Sequence, residues 1–234
     1  MNLFNRRKSL SVNSFKRALI LSFCFILWLS VKASSTWPEF SLSSDCFWGS
    51  AYGTQTTSSI AFDGTNFLVV WEDERTNTER DIFGTRVSTQ GQILDPIGIP
   101  ICTAPSLQTD VAVAAGNQNY LVVWMNYRDG NYDIYGARMD FAGNVLDPNG
   151  FIISAGPWWE AYPDVSWDGV NFFVVWSDFR NDMSYDVYGS RVSPSGEVLD
   201  PRGIQISFEP VMELTPAISF NGLTYLVAWE HASG

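Results

Sequence analysis

The feature that most constrains this chain is a sequence repeat with a period of 52 or 53 residues. Four similar apolar runs each end in a tryptophan, and these are Trp71, Trp124, Trp176 and Trp229. An Asp-aliphatic-aromatic-Gly-small-Arg motif follows at residues 81–86, 133–138 and 186–191, and a Gly-x-x-Leu-Asp-Pro motif at 91–96, 143–148 and 196–201. Because all three motifs keep one register, we expect similar units that each pack on their neighbours.

Each unit is predicted to contain four strands. In the third unit we expect them at residues 164–167, 171–177, 186–193 and, with a bend at its middle, 197–207. Asp168-Gly169 suits a hairpin turn with two successive positive φ angles. Four antiparallel strands in about fifty residues are typical of a β-propeller blade, whereas a parallel β-helix has a shorter repeat and a sandwich domain needs about 100 residues. The predicted fold class is therefore all-β, a propeller of four-stranded antiparallel blades.

The repeat predicts three complete blades and part of a fourth. We expect blade 1 at residues 58–109, blade 2 at 110–162, blade 3 at 163–214 and the first half of blade 4 at 215–234, with an N-terminal segment at 34–57 that holds one candidate outer strand at 40–43. One interpretation is a small closed ring of four blades. The favoured interpretation is an incomplete arc of a propeller of about six to eight blades, whose unpaired last edge would favour self-association.

The first 33 residues have the composition of a targeting signal. They contain six basic residues and no acidic ones, and residues 18–31 form an apolar run. That run is shorter than the roughly 20 residues of a membrane-spanning helix, and Val31 and Ala33 suit a cleavage site. We therefore expect a secretory signal peptide at 1–33 and a secreted or cell-surface protein, bacterial extracellular or periplasmic; an uncleaved anchor is the alternative.

Charge and residue counts exclude several classes of function. After residue 33 the chain has eight arginines and no lysine, against all 25 acidic residues. Such a polyanion repels phosphate backbones, so nucleic acid is excluded as a partner, and no further apolar run is long enough to span a membrane. His231 is the only histidine, which argues against a Ser-His-Asp relay. Cys46 and Cys102 could form one disulfide in an oxidising compartment.

The motifs LVVW-x-Asp-x-Arg, Asp-Ile-Tyr-Gly-x-Arg-Val and Gly-x-x-Leu-Asp-Pro resemble the repeat arrays of secreted bacterial β-propeller proteins. The resemblance covers about residues 55–230. It implies the propeller fold and export, and nothing about activity. The sialidase Asp-box, Ser-x-Asp-x-Gly-x-x-Trp, is not matched, because Asp168 and Gly169 are adjacent.

Residues that recur at equivalent positions of different units are interpreted as structural, since a functional site is normally unique. They are the four tryptophans, the acids Asp73, Asp81, Asp133, Asp178 and Asp186, and the arginines Arg75, Arg86, Arg128, Arg138, Arg180 and Arg191. We expect the arginines to make charge-assisted hydrogen bonds between strands or blades. We expect the tryptophans to pack in the core.

Function is expected where the copies differ. The loop at 156–162 holds adjacent tryptophans beside an acid and a tyrosine, which suits a stacking platform for a sugar ring; sealing of a blade–blade seam is the alternative. The candidate ligand-binding residues are Tyr127, Trp158, Trp159, Glu160, Tyr162, Asp178 and Asp182. No cofactor is expected, although calcium is possible at loop carboxylates, with candidates Glu72, Asp129, Glu160, Asp178 and Asp182.

These observations favour a non-catalytic scaffold that recognises an extracellular glycan or protein through its loop face. One alternative is part of a secreted glycoside hydrolase or lyase, which would need two suitably placed carboxyl groups. The other is a structural spacer of a cell-surface protein.

Overall fold

Antiparallel β-strands make up all the regular structure in the described part of the chain. The computed structural model describes residues 54–75, 79–128, 130–181 and 184–232. Blade 1 comprises β1 (Gln55–Phe62), β2 (Asn66–Asp73), β3 (Asp81–Ser88) and β4 (Ile99–Cys102). Blade 2 comprises β5 (Gln108–Ala115), β6 (Asn119–Tyr127), β7 (Tyr132–Asp140) and β8 (Phe151–Ser154). Blade 3 comprises β9 (Glu160–Trp167), β10 (Phe172–Asp178), β11 (Asp186–Val192) and β12 (Ile204–Gln205), and β13 (Met212–Phe220) and β14 (Tyr225–Ala232) form a two-stranded sheet.

The sheets are arranged as the blades of a propeller. Within each complete blade the strands pair in chain order, and all pairings are antiparallel. The first strands β1, β5, β9 and β13 contact one another in succession, so they form the inner wall and the other strands lie outward. The expected all-β fold, with four-stranded antiparallel blades and a partial last sheet, is confirmed.

The tryptophan-ending runs are almost entirely apolar because neighbouring blades cover both faces of each sheet. In β6, Leu121 and Val123 pack against blade 3, whereas Tyr120, Val122 and Trp124 pack against blade 1. Alternate side chains therefore fill two different blade–blade cores. Trp124 and Trp176 are completely buried against the preceding blade, whereas Trp71 and Trp229 are only half-buried.

A second set of contacts joins the blades at their outer turns. The arginine of the second motif donates two side-chain hydrogen bonds to the aspartate of Gly-x-x-Leu-Asp-Pro in the pairs Arg86–Asp95, Arg138–Asp147 and Arg191–Asp200. Arg86 Nη1 also donates to the carbonyl of Phe141 in blade 2, at 3.2 Å, and Arg138 Nη1 to that of Pro194 in blade 3, at 3.4 Å. The guanidinium group of each of these two arginines thus links two segments of its own blade and also contacts the outer turn of the next blade.

The observed first strands begin two or three residues before the boundaries expected from the sequence, at Gln55, Gln108, Glu160 and Met212. The difference has a backbone cause. Each first strand contains a β-bulge, at which one residue has positive φ, and in blade 3 this residue is Tyr162, directly before Pro163. Proline and the bulge interrupt the apolar pattern, but pairing continues on both sides.

The turn at Asp168-Gly169 differs from the expected one. Only Gly169 has positive φ. The carboxylate of Asp168 instead closes the turn, because Oδ1 accepts the backbone N–H groups of Val170 and Asn171, both at 2.7 Å. An aspartate side chain that bonds its own turn replaces the second left-handed residue.

Several expectations fall on other parts of the chain. The signal peptide, the candidate strand at 40–43, Cys46, Asp129 and Asp182 lie outside the described residues. Cys102 is buried, and burial raises the pKa of its thiol. Its pairing with Cys46 stays a prediction, because Cys46 is outside the described residues. Within the described ranges, no helix has the length and apolarity needed to cross a membrane.

The blade–blade arginine contact predicts a difference between two glycine substitutions. Gly196 and Gly169 both have positive φ, so alanine should cost about 1 kcal/mol of stability at either site. At Gly196 the new Cβ would also lie 2.8 Å from Arg138 Nε, whereas at Gly169 it would meet nothing within 4 Å. Urea unfolding should show Gly196→Ala less stable than Gly169→Ala by roughly 1 kcal/mol or more. Equal losses would contradict a stabilising role for this inter-blade contact.

Candidate functional site

A group of exposed and half-buried aromatic side chains lies where the loops β6–β7, β8–β9 and β10–β11 meet. This aromatic surface consists of Tyr127, Tyr132, Trp158, Trp159, Phe179 and Tyr185. Trp158 is 37% exposed and Trp159 50% exposed. The ring of Trp159 meets Tyr132 edge-on at 5.7 Å between centroids, and Trp158 meets Phe179 at 6.4 Å. The rings therefore rest on aromatic neighbours and keep part of their area open to solvent.

Hydrogen bonds from the β6–β7 loop hold the tryptophan loop in place. Asn131 Nδ2 donates to the carbonyls of Gly156 and Trp158, at 2.9 and 2.8 Å, and to Asp133 Oδ1 at 3.0 Å. On the other side, Phe179 N donates to the Trp159 carbonyl at 3.0 Å. The repeated aspartate of blade 2 thus helps to anchor the one loop that carries two tryptophans. Such a fixed platform lowers the entropic cost of binding.

Glu160 lies beneath this surface, in β9 and not in the loop. Its side chain is 3% exposed, and Ser154 Oγ donates to Oε1 at 2.9 Å. Oε2 has no hydrogen-bond partner within the described residues. Burial, together with the nearby carboxylates of Asp178 and Asp133, raises the pKa of Glu160 to about 8. At neutral pH the carboxyl group is therefore mostly protonated.

Comparison of the blades explains this protonated carboxyl group. The first residue of β1, β5 and β9, or the second of β13, pairs with a polar residue near the end of the next strand: Gln55 with Asp73, Gln108 with Asn126, Glu160 with Asp178, and Glu213 with His231. Among these four described pairs, only that of blade 3 has two carboxyl groups. Since two adjacent buried carboxylates repel each other, one of them keeps its proton.

The second carboxyl group of that pair belongs to Asp178. Its side chain accepts hydrogen bonds from Trp176 Nε1 and Arg180 Nε, both at 2.9 Å, and Arg180 stacks 4.0 Å from the ring centroid of Tyr188. Blade 1 repeats the arrangement with Trp71, Asp73, Arg75 and Phe83. In blade 2, Asn126 replaces the acid, and Trp124 Nε1 has no partner within the described residues. Asp178 is thus held in a repeated structural contact.

A second candidate site lies on the propeller axis. The bulges of the four first strands line a central pocket, and their positive-φ residues are Thr57, Asp110, Tyr162 and Thr215. Tyr162 belongs to this pocket, and no ring contact joins it to Trp158 or Trp159 within the described residues. Non-glycine residues in this conformation are strained and cluster at functional sites.

Two carboxyl groups of the central pocket have raised pKa values. Burial is the main cause for Asp110, and the neighbouring Glu72 adds to it. Burial also raises the pKa of Asp164, although its Oδ2 accepts the Ile218 N–H of the next sheet at 2.8 Å. Neither residue was predicted from the sequence. A signal was present for Asp164, because the equivalent positions hold serine or alanine in the other copies.

The carboxylates predicted as calcium ligands lie in separate hydrogen-bonded contacts. Glu72 is buried, with Oε1 accepting from Thr109 Oγ1 and from the Asp110 N–H, and Oε2 from Thr56 Oγ1 and Arg80 Nη1. Glu160 and Asp178 are buried in the contacts given above. Over the described ranges, no group of three or more acidic, histidine or cysteine side chains is arranged to hold a metal ion.

Comparison with solved structures identifies the fold. An α-L-arabinofuranosidase from Lactobacillus brevis matches with a TM-score of 0.50 and 13% identity, over 74% of this chain and 64% of that one. A thermostable family-43 glycoside hydrolase matches with a TM-score of 0.52 and 12% identity, over 76% and 65%. This chain therefore spans slightly less than two thirds of each structure. No protein-family model and no curated protein sequence matches the chain. At these identities the likeness establishes the propeller fold alone.

The Glu160 environment predicts that stability depends on pH. The side chain titrates near 4.5 when unfolded and at about 8 when folded, so the unfolded chain binds fewer protons between these values. Stability should then fall as pH rises from 5 to 8, by at most about 1.4 kcal/mol per pH unit from this group. Glu160→Gln should become more stable than the wild type as pH rises, in urea unfolding at each pH.

The matched control is Glu197→Gln, which removes an acid from an exposed turn. It should leave the pH dependence of the wild type unchanged. If the stability difference between Glu160→Gln and the wild type were constant from pH 5 to 8, the carboxyl group would not be held protonated by the fold.

Proposed function

We propose that this protein binds a neutral glycan on the aromatic surface of blades 2 and 3. The observation that carries the proposal is the pair of part-exposed tryptophan rings held by fixed loops. Sugar rings stack their C–H faces on such rings, while polar groups at the rim bind hydroxyl groups. The net charge of −11 disfavours an anionic polysaccharide, because like charges repel on approach.

The fold comparison supports a glycan rather than a protein as the ligand. Both structures reported above carry the description of a carbohydrate-active enzyme, an arabinofuranosidase and a glycoside hydrolase. The signal-like N-terminus is compatible with a protein that meets polysaccharides outside the cell. We propose the same location for this chain, secreted or at the cell surface.

Glycan arrays and calorimetry test the proposal. Trp159→Ala should weaken binding of a neutral oligosaccharide by about tenfold or more, because one stacking face is lost, and Trp159→Phe should restore part of it. Val170→Ala, an exposed apolar position on the β9–β10 turn, serves as the control and should leave the affinity unchanged. Equal affinity of Trp159→Ala and the wild type would refute the assignment.

A second candidate function is hydrolysis of the glycan at the central pocket. Asp110 and Asp164 both line this pocket, and burial helps each of them to keep a proton. A glycosidase needs one protonated carboxyl group to donate to the leaving oxygen and a second carboxylate to activate water or attack carbon. The fold comparison favours this hydrolase interpretation over a purely non-catalytic scaffold.

Reducing-sugar release from a panel of neutral polysaccharides tests the second candidate. If the pocket is catalytic, Asp110→Asn and Asp164→Asn should each reduce release by about a hundredfold or more, while binding to the aromatic surface persists. Glu197→Gln should retain full release. If the wild-type chain binds a polysaccharide but releases no reducing sugar, hydrolysis is rejected and glycan recognition remains as the proposed function.

A further inference from the structure

Blade 2 lacks a carboxylate that the two neighbouring complete blades share. In blades 1 and 3 one aspartate, Asp73 or Asp178, accepts hydrogen bonds of 2.8–2.9 Å from a tryptophan indole N–H and from an arginine Nε. The same carboxylate also accepts the backbone N–H of that arginine. Asn126 stands at this position in blade 2. The donors that share one carboxylate in blades 1 and 3 therefore lack it in blade 2.

The side-chain amide of Asn126 does not replace that acceptor. Its Oδ1 accepts from Ser106 Oγ at 2.8 Å instead. Trp124 and Asn126 are both completely buried, and Trp124 Nε1 and Asn126 Nδ2 have no hydrogen-bond partner within the described ranges. A buried donor that stays unpaired costs about 1–3 kcal/mol, so such donors normally have a bound water or ion as their partner.

Arg128 supplies a positive charge at the same place. Its guanidinium group lies 4.4 Å from the ring centroid of Tyr135, and Nη2 donates to the Asn149 carbonyl at 2.8 Å. The equivalent arginines of blades 1 and 3 make the same two kinds of contact and also form an ion pair with the repeated aspartate. Among the described residues, Arg128 has no carboxylate partner. It lies beside the thiol of Cys102, which burial keeps protonated.

A pocket of about 630 Å³ gives access to these donors. Arg128 and Ser106 both line it. Since Ser106 Oγ is bonded to Asn126, the pocket comes within one side chain of the unpaired amide. Two acids, Glu79 and Asp81, line the same pocket, so a ligand with several negative charges would be repelled. The pocket therefore suits a small anion with a single charge.

We propose that blade 2 binds a small monovalent carboxylate, of the size of formate or acetate, in place of the missing aspartate side chain. Arg128 and Trp124 Nε1 donate to its oxygens as their counterparts donate to the aspartates of blades 1 and 3, and Asn126 Nδ2 donates a further bond. Charge-assisted bonds to a guanidinium group are stronger than bonds between neutral groups, which offsets the cost of taking the anion out of water. None of these residues belongs to the aromatic surface or to the central pocket.

Titration of the full chain with sodium formate at constant ionic strength, followed by heteronuclear NMR, tests the proposal. The indole N–H resonance of Trp124 should shift saturably. Methanesulfonate, which carries the same charge on a larger head group, should bind about tenfold more weakly or not at all. A bound water is the competing occupant, since Gln108 Oε1, on the strand paired with Asn126, is an acceptor without a partner in the described part of the chain. A Trp124 resonance that does not respond to formate, or responds equally to both anions, would overturn the proposal.

Three variants locate the anion. Asn126→Asp supplies the carboxylate that blades 1 and 3 already carry, and should abolish the response to formate. Asn221→Asp is the matched control, because it adds the same charge at an exposed turn where Asp63 and Asp168 stand in blades 1 and 3, and it should retain the response. Arg128→Gln changes a half-buried residue outside the strands and should weaken formate binding about tenfold or more. A wild-type response in either Asn126→Asp or Arg128→Gln would contradict the proposal.

Discussion

The structure depends on one packing constraint: each sheet must bury both of its faces, and only another sheet of the same kind covers them. A run such as Leu121–Trp124 sends alternate side chains into two different cores, so no blade has a hydrophobic core of its own. The stability of one unit is then inseparable from that of its neighbours. The arginine–aspartate pairs connect the same adjacent units by polar contacts at the periphery. There the arginine side chain donates a hydrogen bond to a backbone carbonyl in a turn of the next blade.

Much of this architecture follows from the sequence because repetition multiplies a weak local signal. One apolar run ending in Trp176 is compatible with many folds, but the same run with two further motifs in register specifies strand number, turn positions and the order of pairing. The sequence did not reveal the bulges in the first strands. Pro163 and the polar residues near it made the start of β9 resemble a loop, although pairing across the bulge extends the strand back to Glu160.

The candidate sites were less predictable, for a physical reason. The exposed Trp158 and Trp159 were identifiable because adjacent tryptophans are unusual in a loop. Glu160, by contrast, was expected among exposed ligands and is buried. Its protonation depends first on burial and then on Asp178 across the strand pair, and thus on packing and a register that only the folded sheet defines. Asp110 and Asp164 were missed because the axis-facing positions are set by the bulges, which shift side-chain direction by one residue.

The bulges also separate the residues that line the central pocket from the residues that pack between the blades. At each one the pairing steps out of register, and the backbone N–H of Val113 or Ile218 bonds instead to a side chain of the preceding sheet, Ser59 or Asp164. The left-handed residue beside it projects toward the axis and contributes little to the cores between the blades. Aspartate and asparagine tolerate this conformation better than the threonines found at positions 57 and 215. The bulge positions of the inner wall can therefore carry different side chains in different blades. An acid can be introduced there in one blade at a time while the packing between the blades stays the same.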